Sequence, residues 1–161
     1  MKRQMNKQDR QMSYEETVKA LASGNHGTLS VIGDEGYPYA TPVNYVYEDG
    51  KIYIHSAKYG YKVECIEKCD KVCFSAIISA EVEQSRFTAA FESVVATGRI
   101  KSINDEGEKR SILEKFIYKM APDYIEGGMK FVSAAIDKTL LLCIDIEEMT
   151  GKQSKATSYD A

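Results

Sequence analysis

At 161 residues, with 43% hydrophobic and 28% charged side chains, the chain can bury one real core and is too short for two comfortable domains. A net charge of -3 offers no basic face or tail for nucleic acid. No uninterrupted apolar run approaches the ~18 residues that cross a bilayer, so a cytoplasmic protein with no membrane partner is expected.

Lys2, Arg3, Lys7 and Arg10 form a basic arm interrupted by Gln and Asn, with no signal-peptide core behind it. Residues 1–12 are expected to be a solvated polar leader. Ser13-Tyr14-Glu15-Glu16 has the S-x-x-E form of a capping box, in which the Ser hydroxyl and the Glu carboxylate satisfy orphan backbone donors. The helix it starts is expected to present Tyr14, Val18, Leu21 and Ala22 on one face and to stop at Gly24-Asn25. Thr28 to Ile32 then reads as a strand with Leu29 and Val31 on one face, closed by Gly33-Asp34-Glu35-Gly36. His26, at the strand entrance, is expected to hydrogen-bond locally.

The stretch Tyr37 to Lys62 holds two β-type runs, Ala40 to Tyr47 and Lys51 to Ser56, joined by Glu48-Asp49-Gly50. Glycine accepts the positive φ that a tight hairpin needs. Pro42 gives no N–H to a ladder, so it belongs at an edge, a bulge or a place where the strand leaves its neighbour. Such an opening would expose the backbone of Val43, Asn44 and Tyr45, although an edge strand with no ligand fits the same pattern. The second run ends in His55-Ser56-Ala57, and Gly60 opens a helical segment carrying Lys62. A hydroxyl, small residues, N–H groups at a helix entrance and one ammonium have the chemistry of a phosphate cradle.

Tyr59 to Lys68 has helical spacing, with Val63 and Ile66 inward. Lys71 to Ser79 is a buried strand, Ser79 to Ala90 a polar loop, and Phe91 to Ile100 a strand in which Gly98 marks a bulge or a close backbone approach. Asp105-x-x-Glu108 opens the longest helix, whose stripe Ile112, Leu113, Phe116, Ile117 and Met120 is core, and Ala121-Pro122 ends it. A short helix over Met129 to Ile136 and a last strand over Leu140 to Ile146 complete a domain spanning 13–150, followed by a polar tail over 151–161. Short, hairpin-linked strands with three or four helices favour a mainly β antiparallel barrel over a doubly wound parallel sheet.

The chain has no G-x-S-x-G elbow, H-E-x-x-H, Walker loop or G-x-G-x-x-G fingerprint. Cys65, Cys69, Cys73 and Cys143 lack C-x-x-C spacing, and only His26 and His55 supply imidazoles, so reduced thiols and no metal site are expected. An enzyme built from these residues would lean on a cofactor for the difficult chemistry.

G-T-L-S-V (27–31), G-Y-P-Y-A-T-P-V-N-Y (36–45), I-Y-I-H-S-A-x-x-G-x-K (52–62) and F-E-S-V-V-A-T-G-R (91–99), in that order, resemble the FMN-binding split-barrel family related to pyridoxamine 5'-phosphate oxidase. The nearest likeness is to its 5-nitroimidazole-resistance (Nim) nitroreductase-like group. The resemblance implies an antiparallel split β-barrel that forms a homodimer with FMN at the interface. It implies that Val43, Asn44 and Tyr45 face the flavin ring, that His55, Ser56 and Ala57 lie along the ribityl and phosphate, and that Gly60 and Lys62 hold the phosphate. Phe91, Glu92 and Ser93 would be a second contact strand, and Lys152 would add charge nearby. His55 is either a proton donor or an imidazole that shapes the pocket. The chain lacks an arginine cluster for a pyridoxal phosphate substrate, which argues against vitamin B6 oxidation. The implied activity is an FMN-dependent reductase that takes electrons from NAD(P)H and gives them to a small electron-poor acceptor such as a nitroaromatic. A flavin-binding or storage module without turnover is the alternative.

Overall fold

The structure, a computed structural model, describes residues 4–154. Lys2 and Arg3 of the basic arm and the tail from 155 onward lie outside the described residues. The capping box forms as its sequence dictates: Glu16 N–H donates to Ser13 Oγ at 3.2 Å and Ser13 N–H to Glu16 Oε2 at 2.7 Å, starting α1 (Tyr14–Ser23). Its buried face is Thr17, Ala20 and Leu21 rather than the expected Tyr14, Val18 and Ala22. Thr17 can face inward because its hydroxyl is satisfied by the Ser13 carbonyl at 2.7 Å. Tyr14 is 70% exposed.

Seven strands follow: β1 (His26–Ile32), β2 (Pro38–Asn44), β3 (Val46–Glu48), β4 (Lys51–Ala57), β5 (Lys71–Glu83), β6 (Thr88–Ile103) and β7 (Thr139–Ser154). Between them lie α2 (Tyr61–Lys68), α3 (Glu106–Met120) and α4 (Ile125–Ala135). All ladders are antiparallel, in the order β2-β1-β5-β6-β7-β4-β3. The two end strands of that order, β2 and β3, are consecutive in the chain and joined by Tyr45 alone. A one-residue link holds the ends within a few ångströms of each other, so the sheet must curl toward a barrel whose seam runs at Tyr45. Pro38 and Pro42 both sit in the edge strand β2, where a missing N–H does least harm.

The single strand expected over Ala40 to Tyr47 is thus broken in two. The hairpin itself is the one the turn chemistry demands: Glu48 pairs with Lys51, and Asp49 and Gly50 take φ of 47° and 79°. The polar stretch expected as a loop, Ser79 to Ala90, instead extends β5 and β6 into a long hairpin turning at Gln84–Arg86, with Phe87 94% exposed. Sequence pattern undercounted these strands because their outer ends cover no core and carry no alternation. Gly98 is both a bulge site and a close approach: the register shifts between Thr97 and Gly98, and a Cβ there would lie 2.2 Å from the Asp145 carbonyl oxygen.

The barrel interior is filled by Leu29, Val31, Tyr45, Ile52, Ile54, Phe74, Val94, Leu142 and Ile144 among others. A second layer, Tyr53, Leu141 and Cys143 with Ile112 and Phe116 of α3, covers the outside of β4 and β7. The run Leu140 to Ile144 is continuously apolar because alternate residues serve these two cores. β7 does not end at Ile146; it continues to Ser154 and pairs with the start of β6. Residues 151–154 therefore belong to the sheet, not to a tail. The end of the leader is docked there too, with Met12 buried and its N–H donating to the Gly151 carbonyl at 3.0 Å. The four cysteines are free thiols, two of them buried. Among the described residues no helix is long and apolar enough to cross a membrane.

Candidate functional site

The seam places the central motif residues. Val46 pairs with Tyr53 in the β3–β4 ladder. Asn44 and Val43 lie just before that break, where β2 also comes against β4. There β2 turns away to pair with β1, Val43 opposite Gly27 and Asn44 opposite His26. Val43 and Asn44 are half-buried, and His55 and Ala57 keep exposed surface at the end of β4.

The Tyr45 side chain presents no surface at the seam. It has no exposed surface, its ring meets Phe74 edge to face at 4.9 Å, and its hydroxyl donates to the Leu21 carbonyl at 2.7 Å. Strand alternation turns it into the barrel while Val46, next to it, is buried in the outer layer with Tyr53 and Ile112. Lys119 of α3 lies 5.0 Å from the same ring and donates to the carbonyls of Ala22 and Gly24, capping the C-terminal end of α1.

Beyond Ala57 the chain reaches Gly60, with φ 117° and ψ 165°, a backbone conformation essentially reserved for glycine. Nothing lies within 4 Å of a Cβ there, so the backbone angle and not crowding requires glycine. α2 starts with no side-chain cap; the Gly60 carbonyl accepts from Val63 and Glu64 N–H at 2.8 and 3.2 Å. The N–H groups of Tyr61 and Lys62 precede the helical ladder and point out of the helix head. Lys62 is half-buried, and burial lowers its pKa. These features, with the Ser56 hydroxyl, fit a phosphate group.

His55 stacks edge to face on Phe116, ring centroids 4.8 Å apart at 81°. Burial against such neighbours and then the Lys62 charge lower its pKa, so the ring is neutral near pH 7. A neutral imidazole has one N–H to give and one lone pair to accept. The contact of Phe116 with His55 had no signal in the sequence, since α3 and β4 are far apart along the chain. His26 behaves as expected, its Nδ1 lying 2.5 Å from Asn25 Oδ1.

The remaining candidates form a second group. Phe91, Glu92 and Ser93 stand opposite Ser154, Gln153 and Lys152 in the β6–β7 ladder. Lys152 Nζ lies 5.7 Å from the Phe91 ring. Glu92 also lines a hollow of about 350 Å³ with Met12, Glu16, Lys19 and Ser23. His55, Ser56 and Ala57 instead pair with Leu141, Leu140 and Thr139, at the other end of β7. From residue 141 to residue 152 is 11 steps of strand, or roughly 36 Å of contour. One chain therefore does not bring the two groups together.

Three comparisons bear on this arrangement. Residues 13–153 match the family described as pyridoxamine 5'-phosphate oxidase. No curated protein matches the sequence. Among solved structures the chain is similar to a proposed 5-nitroimidazole antibiotic resistance protein of Bacteroides thetaiotaomicron, with 22% identity, 89% of this chain and 86% of that one covered, and a TM-score of 0.68. It is similar also to a flavocytochrome of Azotobacter vinelandii, with 21% identity, 98% and 75% covered, and a TM-score of 0.79. A third is an FAD-binding protein of Mesorhizobium loti, with 23% identity, 91% and 98% covered, and a TM-score of 0.63. These likenesses concern the fold, whereas the family match spans nearly all of the described chain: the protein belongs to the pyridoxamine 5'-phosphate oxidase-like family.

Proposed function

We propose that the protein binds a flavin, with FMN as the smallest sufficient form. It works as a homodimer that passes electrons from a reduced nicotinamide donor to a small electron-poor acceptor such as a nitroaromatic ring. The observation that carries the reading is the separation just described. Two sets of residues with ligand-binding chemistry lie at opposite ends of β7, and a two-fold partner can bring one end beside the other.

In this reading the first-turn N–H groups of α2, Lys62 and Ser56 hold the phosphate, with the helix dipole adding to the ammonium. The half-buried backbone of Val43 and Asn44 at the seam orients the ring edge by hydrogen bonds. Phe91 and Ser93 from the partner cover the ring, and the partner's Lys152 adds positive charge. The flavin, when bound, supplies the two-electron chemistry that the side chains here lack. His55, neutral and held against Phe116, offers an N–H to an acceptor atom that gains a proton.

The test uses the purified full-length protein. Titration with FMN should saturate and quench flavin fluorescence, NADH or NADPH should bleach the bound flavin, and a nitroimidazole should restore its colour. A protein that carries no flavin and takes none up overturns the reading. Binding without bleaching by either donor leaves a flavin-binding module in place of a reductase.

A further inference from the structure

Strand β7 loses its neighbour on one edge partway along. β4 leaves it at Asp145, with a last bond from Ile146 N–H to the Gly50 carbonyl at 3.3 Å. The leader reaches the same edge only at Gln11, which bridges to Lys152, and at Met12, which bonds Gly151. Between these points Glu148, Met149 and Thr150 pair with β6 on one side, and among the described residues no strand lies on the other. Gly151 turns its carbonyl to this edge. By the two-residue alternation of a ladder, Met149 turns its N–H and C=O there as well. The gap opens into a hollow of about 510 Å³, walled on its far side by Met5 and Tyr14.

We propose that this gap is a docking slot for an extended segment of a partner protein that carries lysine or arginine. Laid in as an added strand, the segment bonds the Met149 backbone whatever its sequence, and the walls of the hollow select its side chains. Glu147 and Glu148 both line the hollow, and no lysine or arginine does. Glu147 is drawn to Arg99 at 3.1 Å, whereas Glu148 has no side-chain partner among the described residues. Tyr14 is 70% exposed, although its helix buries Thr17, Ala20 and Leu21, and its ring offers a π face to a cation. Met5 and Met149, both half-buried, give the apolar stem of a lysine an adaptable wall. The same carboxylates repel the β7 edge of a second copy, which carries like charge, so the occupant is a different, basic chain. The volume lies within the range of hollows that hold ligands. The slot does not depend on whether a flavin binds elsewhere.

The full-length protein is titrated with the capped peptide acetyl-Thr-Val-Lys-Val-Thr-amide while the Met149 amide and Tyr14 ring resonances are followed by NMR. Saturable binding is expected, with slowed hydrogen exchange at the Met149 N–H. Methylating alternate backbone nitrogens of the peptide should weaken binding about fivefold or more for one of the two alternate sets. Replacing the peptide's lysine by glutamate should weaken binding about fivefold, and Glu148→Lys should reverse that preference. Glu148 is exposed, so the substitution leaves the core untouched. Any one of four results overturns the proposal: no saturable binding, binding that disturbs neither Met149 nor Tyr14, indifference to both methylated sets, or a charge preference that Glu148→Lys leaves unchanged.

Discussion

Ser93 stands opposite Lys152 in the β6–β7 ladder, while His55 stands opposite Leu141 eleven residues earlier in the same β7 strand. In a two-fold assembly each complete site would then combine Lys62 of one chain with Lys152 of the other. Lys62→Ala and Lys152→Ala should each weaken flavin binding alone. Co-expressed, they should recover about one quarter of the tight sites, because half the random pairs are mixed and each mixed pair restores one of two sites. No recovery on mixing, measured by flavin content, would place both lysines in one chain's site.

Lys62→Ala removes a charge-assisted contact to the phosphate. A loss of about 1.5–3 kcal/mol, or roughly ten- to hundredfold in flavin affinity, is expected. A change of less than about twofold means the phosphate lies elsewhere.

His55 gives a pH signature. Burial first and the Lys62 charge second hold its pKa below the ordinary 6.5. On unfolding the ring regains ordinary basicity, so the unfolded chain takes up the proton first. The stability it contributes is complete above the ordinary value and is lost as pH falls from there through the lower folded value. Urea midpoints should drop on acidification across that window more steeply in the unmodified protein than in His55→Gln. Parallel slopes would show that His55 is not so held.

Tyr45→Phe deletes the donor to the Leu21 carbonyl and keeps the ring on Phe74. Denaturant unfolding should show a loss of about 1–2 kcal/mol. Flavin affinity should stay within about twofold, since the side chain has no exposed surface. A large affinity change with intact stability would return Tyr45 to the site.

Gly98→Ala would set a methyl group 2.2 Å from the Asp145 carbonyl oxygen, a backbone atom that cannot swing aside. The β6–β7 ladder must shift, at a cost of about 1–3 kcal/mol in urea unfolding. An unchanged midpoint would mean that the bulge is wider in solution.

What adjacent residues encode could be read directly from the sequence. The Ser13–Glu16 capping box, the Asp49-Gly50 hairpin turn, the α3 stop at Ala121-Pro122 and the Gly98 bulge depend on local backbone chemistry, and each forms where its residues stand. The antiparallel β architecture followed from hairpin spacing for the same reason. Only the tertiary structure decided which way a side chain points and what lies across from it. It turned Tyr45 inward, set Phe116 against His55, and carried residues 151–154 into the sheet. It also parted the Lys62 and Lys152 ends of the candidate site along β7. Those outcomes depend on ladder register and on the curl imposed by the one-residue Tyr45 link, which join residues far apart in the chain and leave no periodic trace within it.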